Sequence, residues 1–89
     1  MKIEFDEAKD RGNIANHGIS LARAVEPALL VVKRDNRFDY GEERFRAWGT
    51  IEGECFALAF TIRGDRVRPI SLRRARQEEV ERHVATKDD

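Results

Sequence analysis

Residues 42–73 comprise three segments with the composition of β-strands, separated by two short turn sequences. Such segments bounded by turn residues are typical of β-strands joined by hairpins. The turns, at Glu52-Gly53 and Gly64-Asp65, each combine a glycine with an acidic residue, as hairpin connections often do. The sequence therefore predicts a three-stranded antiparallel meander, whose apolar face the rest of the chain must cover.

The first turn determines which side chains of the first two strands share a face, because a one-residue slip moves every side chain across the sheet. A two-residue turn at Glu52-Gly53 predicts four cross-strand pairs: Thr50 with Cys55, Trp48 with Ala57, Arg46 with Ala59, and Arg44 with Thr61. Apolar side chains then gather on the other face: Phe45, Ala47, Ile51, Phe56, Leu58, Phe60 and Ile62. This second set is the predicted core.

The second turn allows two registers. A two-residue turn would bring Ser71 and Arg73 among the phenylalanines, whereas a three-residue loop over residues 64–66 would send Ile70 and Leu72 to the apolar face. Burial favours the loop. It predicts two cross-strand pairs: Arg63 with Val67, and Ala59 with Ser71.

The polar face of the meander is predicted to carry arginines around a floor of small residues, Cys55, Ala57 and Ala59. We call it the arginine face, and its expected members are Glu42, Arg44, Arg46, Trp48, Thr61, Arg63, Ser71 and Arg73. Residues 61–76 hold six arginines and one acid, and the chain has 13 arginines but only 4 lysines. Because a guanidinium fork matches phosphate and carboxylate geometry, this face is a candidate anion site. A solvated, salt-bridged sheet surface is the alternative.

A helix over residues 7–17 is predicted by Asp6, which suits its N-cap, and by Gly18, which suits its end. Three side chains spaced by four positions form one stripe along it: Lys9, Asn13 and His17. The stripe is either the solvated side of the helix or part of a functional site.

The flanking segments complete an α+β domain that we expect to span residues 1–89. They predict a short strand over 2–5, a short helix over 21–25 capped by Ser20 and ended by Pro27, and a final helix reaching about Val84. Residues 28–32 fit either a short strand or an extended turn, and residues 34–41 have the composition of a loop. Pro69 has no N–H to donate, which favours a sheet edge or a bulge at that position.

Composition limits the kinds of site that the chain can hold. With one cysteine, Cys55, and two histidines, we expect no internal disulfide, no bound metal ion and no other cofactor. Because the chain lacks both a signal-peptide pattern and a long apolar run, we expect a cytoplasmic protein outside membranes. Zero net charge argues against indiscriminate nucleic-acid binding, yet residues 44–76 carry eight basic residues and three acidic ones.

Three blocks of the sequence, FDEAKDRGNIANHG, YGEERF and FTIRGDRVRPISLRRARQEEVERH, resemble the BrnT family of bacterial type II toxins and follow the family's order. The resemblance covers nearly the whole chain. It implies a RelE-like ribonuclease fold and RNA cleavage without a metal ion, which inhibits translation and growth. It also implies a BrnA-like ribbon-helix-helix antitoxin that neutralises the toxin in a heterotetramer and, with it, represses their operon by binding operator DNA.

The resemblance also implies functional residues, namely Lys9, His17, Glu42, Arg44, Arg63, Ser71 and Arg73. Among these, His17 is the expected acid or base, ahead of Glu42 and Lys9, because its ordinary pKa of about 6.5 is nearest neutrality. We expect Arg63 and Arg73 to bind the reacting phosphate and Arg44 to position the RNA strand. Further RNA contacts are expected from Arg46, Trp48, Ser71 and Arg74. Trp48 suits base stacking or interior packing.

Two other functions fit the same residues. The chain could serve only to bind its antitoxin, or it could bind RNA without cleaving it. Cleavage of single-stranded RNA in EDTA by the purified protein would separate the toxin from both alternatives, and strongly salt-dependent binding without product would indicate the RNA-binding module.

Overall fold

The structure, a computed structural model, describes residues 2–86. Its elements in chain order are β1 (Lys2–Ile3), α1 (Glu7–His17), a 3₁₀ helix (Leu21–Val25), β2 (Ala28–Arg34), β3 (Phe45–Ile51), β4 (Glu54–Arg63), β5 (Arg66–Arg74) and α2 (Gln77–Ala85). The strands form one mixed sheet in the order β1-β5-β4-β3-β2, in which β1 is parallel to β5 and the other neighbours are antiparallel. The α+β class is confirmed. The second predicted helix is a single 3₁₀ segment, and neither α-helix of the described chain is long and apolar enough to span a membrane.

Helix α1 begins and ends where the sequence predicts. The Asp6 side chain accepts the N–H of Lys9 at 2.7 Å. Gly18 adopts the left-handed conformation with φ of 71° and donates its N–H to the carbonyl of Ile14 at 2.8 Å. Both ends are therefore satisfied by local hydrogen bonds that the sequence encodes.

Asn13 is the buried residue of α1 and joins it to the sheet. Its side-chain amide donates to the carbonyls of Ile19 at 2.8 Å and Leu72 at 2.9 Å, and it accepts the Leu72 N–H at 3.2 Å. Strand β1 pairs with β5 only at Arg66 and Val67, so Asn13 satisfies backbone groups further along that edge as a neighbouring strand would. The centre of the predicted polar stripe is therefore structural.

The first hairpin has the predicted register. Cross-strand pairs join Thr50 to Cys55, Trp48 to Ala57, and Arg46 to Ala59. Glu52 and Gly53 have φ of 51° and 81°, as a two-residue turn that follows the sheet's twist requires. Strand β3 begins at Phe45, so the fourth expected pair, Arg44 with Thr61, lies beyond it.

The second hairpin differs from the prediction near its turn. Arg63 pairs with Arg66 across a two-residue turn, so the expected three-residue loop is wrong. The register then shifts by one residue, and Ala59 pairs with Ser71 as expected. The shift is a β-bulge next to Pro69, a position at which proline is favoured because it has no N–H to donate. Because of the bulge, a two-residue turn is compatible with burial of the apolar side chains further along β5.

One face of the sheet packs against α1 and the 3₁₀ helix. The buried cluster there comprises Ile19, Leu21, Ala24, Ala47, Ile51, Phe56, Leu58, Phe60 and Leu72. Two side chains that were expected on the apolar face are not buried in this cluster. Ile70 is only partly buried at the bulge, and Ile62, near the second turn, is 42% exposed. Val67 packs against the cluster instead.

The opposite face is partly covered by α2. Val80 of this helix packs in a second buried cluster with Val31, Trp48 and Ala57. The sequence predicts an open polar surface here, so this half of the prediction is corrected. Residues 28–32, which by sequence fit either a strand or a turn, form part of β2. This strand is an edge of the sheet, and three of its side chains, Leu29, Leu30 and Val32, are about half exposed.

We expect Asn13→Ala to destabilise the fold by about 3 kcal/mol, because three buried backbone groups lose their partner. Asn16→Ala, on the same helix but exposed, is the matched control and should change stability by less than about 0.5 kcal/mol. Urea unfolding at pH 7 measures both. Equal stability of the two variants would contradict the role of Asn13 at the strand edge.

Candidate functional site

A cavity of about 400 Å³ lies between α2 and the polar face of β3, β4 and β5. We call it the arginine groove, and its lining residues are Arg37, Arg46, Trp48, Ala57, Leu58, Ala59, Ser71, Arg73, Glu79, Arg82 and His83. Four of these residues are arginines and one is acidic. The groove is therefore suited to an anion.

A second cavity of about 500 Å³ extends the groove towards β2. The two cavities share Arg37, Arg46, Arg82 and His83, and the second adds Lys33, Arg34, Asn36 and Thr86. Six cationic side chains thus border a continuous depression in which Glu79 is the one acidic lining residue of the described chain. Such a depression can follow the backbone of a single nucleic-acid strand.

Strand pairing places the groove residues in two rows across the sheet. One row runs from Arg46 through Ala59 to Ser71, and the next runs from Trp48 through Ala57 to Arg73. The alanines at the centre leave room beneath the longer side chains. This part of the predicted arginine face, with its floor of small residues, is confirmed.

Arg73 and Glu79 form an ion pair in the groove through two hydrogen bonds. Two guanidinium nitrogens of Arg73 lie 3.1 and 2.8 Å from the two carboxylate oxygens of Glu79. The indole N–H of Trp48 donates to the same carboxylate at 2.8 Å. The hydrogen bond from Arg73, with a smaller one from Trp48, lowers the pKa of Glu79, although burial opposes the shift. Glu79 is therefore ionised at neutral pH.

His83 stands beside this pair, one helical turn after Glu79. Its ring stacks on Trp48 with 3.6 Å between centroids and 13° between planes, and its Nδ1 lies 3.3 Å from Nζ of Lys33. Burial lowers the pKa of His83, and the charges of Lys33, Arg46 and Arg82 lower it further. Neither His83 nor Glu79 is among the site residues predicted from the sequence, although their four-residue spacing places both on one side of α2.

Arg46 offers its guanidinium to a ligand. It lies 5.1 Å from the Trp48 ring centroid, and within residues 2–86 it forms no ion pair with an acidic side chain. Its Nε is buried without a hydrogen-bond acceptor. Arg46 is therefore a groove cation that an incoming anion can contact without displacing a carboxylate.

Glu42, Arg44 and Arg63 form a separate cluster. Carboxylate oxygens of Glu42 lie 3.4 Å from Arg63 and 3.9 Å from Arg44, which also stacks on Tyr40 at 4.2 Å. Arg63 is six positions along β4 from the residue opposite Arg73, which corresponds to about 20 Å. Arg63 and Arg73 share a face, but this distance prevents them from clamping one phosphate as expected.

Asp35 fixes the loop that carries Arg37 to the rim of the groove. Its carboxylate accepts hydrogen bonds from Arg37 at 2.8 Å and from the Tyr40 hydroxyl at 3.0 Å. The hydrogen bond from Arg37 is the main reason that the pKa of Asp35 lies far below its ordinary value. These hydrogen bonds hold the loop together, and the Asp35 N–H, which donates to the Arg44 carbonyl at 2.7 Å, joins it to the segment before β3. Arg37 lines the groove.

Besides Glu42, Arg44 and Arg63, three predicted site residues lie outside the groove, and Trp48 lines it without an exposed ring. Lys9 and His17 are exposed on α1, line neither cavity, and form no side-chain hydrogen bond or ion pair within the described residues. Arg74 pairs with Phe56 in the register, which directs it to the face opposite Arg73, and it contacts Glu54 at 3.3 Å. Trp48 is 2% exposed and packs in the interior rather than presenting its ring to a base.

Residues 5–79 match the family model described as the ribonuclease toxin, BrnT, of type II toxin-antitoxin systems. The match includes both rows of the groove and ends at Glu79, so Arg82 and His83 lie outside it. No curated protein matches the sequence.

We expect His83 to titrate below its ordinary pKa of 6.5. Trp48, the chain's one tryptophan, should report this titration by fluorescence, because a protonated imidazole quenches the indole on which it stacks. The folded state binds this proton less readily than the unfolded state, so stability should also fall as pH drops below 6.5. The fluorescence step should disappear in His83→Gln and persist in His17→Gln. A step that survives His83→Gln would contradict the stack.

Proposed function

The chain belongs to the BrnT family of ribonuclease toxins of type II toxin–antitoxin systems, and we propose that it cleaves RNA in the arginine groove without a metal ion. We further propose that its sheet is a RelE-like ribonuclease fold and that cleavage inhibits translation and growth. The observation that carries the proposal is that one cavity brings together the Glu79 carboxylate, the His83 imidazole and the guanidinium groups of Arg46 and Arg73.

Metal-free RNA cleavage needs three groups. A base takes the proton of the 2′-hydroxyl, cations stabilise the charge that develops on phosphorus oxygens, and a donor protonates the leaving 5′-oxygen. Glu79 is ionised and can act as the base, Arg73 and Arg46 can hold the phosphate, and His83 can act as the donor. The four-residue spacing of Glu79 and His83 sets their Cβ atoms about 6 Å apart, which suits groups on two sides of one phosphate.

Arg73 has two roles in this scheme. In the structure it holds Glu79, and on RNA binding it also contacts the phosphate that Arg46 receives. Ser71, at the end of the Arg46 row, provides a hydroxyl for the same strand. Glu42, Arg44 and Arg63 lie too far away for the reacting phosphate and would contact a more distant part of the RNA.

A protein partner is the second part of the proposal. We infer a BrnA-like ribbon-helix-helix antitoxin that neutralises the toxin, forms a heterotetramer with it and represses their operon. Exposed apolar surface at or near the β2 edge is typical of a protein-binding surface. It is formed by Val25, Leu29, Leu30 and Val32.

We expect co-expression with the antitoxin to restore growth. In an electrophoretic mobility assay, operator DNA should be retarded by the toxin–antitoxin pair but not by the toxin alone.

We expect Arg73→Ala to lower RNA cleavage by about 10²–10³-fold, because a cation at the developing phosphorane charge is lost. The matched control is Arg74→Ala, the next residue, which faces the other side of the sheet and should retain wild-type activity. The assay uses antitoxin-free protein and single-stranded RNA in EDTA.

Equal losses in the Arg73 and Arg74 variants would contradict the assignment of the groove. Wild-type protein that binds this RNA with strong salt dependence but yields no product would instead favour the non-catalytic RNA-binding alternative.

We expect Glu79→Gln to slow cleavage by about 10²–10⁴-fold without weakening RNA binding, because the base is lost while Arg73 is released to the phosphate. Glu78→Gln, an exposed neighbour on α2, is the control and should be fully active. Single-turnover cleavage and RNA binding measured side by side test this. Faster cleavage by Glu79→Gln would show that Glu79 only neutralises Arg73.

A further inference from the structure

Lys33 is a buried cation that the scheme above does not use. It is 7% exposed on β2, and its Nζ lies 3.3 Å from Nδ1 of His83 and 2.8 Å from Oγ1 of Thr86. Within residues 2–86 it forms no ion pair with a carboxylate. Burying a cation is costly unless its hydrogen bonds are made, so its contacts with neutral acceptors call for an explanation.

The contact with Lys33 determines where His83 carries its proton. An ammonium group has only N–H donors, so Nδ1 of His83 must be the acceptor. The neutral ring then has its proton on Nε2, and the stack on Trp48 fixes the plane of the ring. Nε2–H is the group that His83 has left to offer a ligand in the two cavities that it lines.

We propose that Lys33 is a positioning residue for RNA cleavage, which holds His83 as the Nε2–H tautomer and replaces the proton that His83 gives to the leaving oxygen. This inference rests on the proposed function. It assigns a task to a buried residue on β2 and to a histidine beyond the matched residues 5–79.

In the proposed cleavage step, each transferred proton has a donor and an acceptor. The 2′-oxygen bonds to phosphorus as its proton passes to Glu79, and the P–O5′ bond breaks to give a 2′,3′-cyclic phosphate. The 5′-oxygen takes the proton from Nε2 of His83, while Nδ1 takes a proton from Lys33. His83 is then neutral with its proton on Nδ1, and Lys33 is a neutral amine. A proton from water returns to Nε2 as Nδ1 gives its proton back to Lys33, and Glu79 releases its proton to water.

The surroundings of His83 explain why a second donor is needed. Charged groups face it from three elements, with Lys33 on β2, Arg46 on β3, and Arg82 and Glu79 on α2. Burial and the three cations lower the pKa of His83, and Glu79 opposes them only in part. The ring is consequently neutral near pH 7, and it cannot release a proton to the 5′-oxygen unless another proton reaches Nδ1.

The test compares ordinary RNA with RNA whose scissile 5′-oxygen is replaced by sulfur, a leaving group that needs no proton. Lys33→Met should cleave ordinary RNA about 10²-fold more slowly at pH 7 and should match the wild type on the sulfur-linked RNA. Lys33→Arg should lose as much on ordinary RNA, because arginine can donate a hydrogen bond but does not release its proton. Lys2→Met, an exposed lysine on β1, is the matched control and should behave as wild type.

The pH profile provides a second readout. Without the charge of Lys33, the pKa of His83 should rise towards its ordinary value, so Lys33→Met should recover activity on ordinary RNA as pH falls towards 6. Equal losses by Lys33→Met on both RNAs, or full activity of Lys33→Arg on ordinary RNA, would overturn the proposal. A wild type that cleaves neither RNA would instead contradict the proposed function itself.

Discussion

The packing of α2 against Trp48 is the interaction on which the site depends. One indole ring holds both candidate proton-transfer groups, since its N–H bonds Glu79 and its face stacks against His83. Val80, between these two positions, is buried in the same cluster and fixes the rotation of the helix. A structural tryptophan thus sets the geometry of a polar groove, and the arginines of the sheet complete it.

The charges of the groove are balanced only in part. Glu79 neutralises Arg73, whereas Arg46 and Arg82 have no acidic partner within the described residues. A phosphate can therefore enter beside Arg46 first and then share Arg73 with the carboxylate. This arrangement keeps the base ionised and next to the cation that binds the substrate, and it explains why zero net charge is compatible with an anion site.

The first hairpin was predictable from sequence because its determinants are local. Its turn residues determine the register, and the alanine floor follows from that register. The tertiary contacts were not predictable. The apolar stripe of α2 is too thin to show which face it covers, so the sequence does not place His83 in a site. The resemblance implies functional roles for Lys9 and His17, whereas Asn13, at the centre of their stripe, is buried and bonds the edge of β5. The bulge was not predictable either, because it depends on both the two-residue turn and the burial of Leu72 further along β5.

The most direct test is a crystal structure of the antitoxin-free chain with a short RNA that carries a 2′-deoxy nucleotide at the cleavage site and so cannot react. We predict that the scissile phosphate lies within hydrogen-bond distance of Arg46 and Arg73, with Glu79 near the 2′-carbon and Nε2 of His83 near the 5′-oxygen. A phosphate bound instead on α1 beside Lys9 and His17, with the groove empty, would contradict cleavage in the arginine groove.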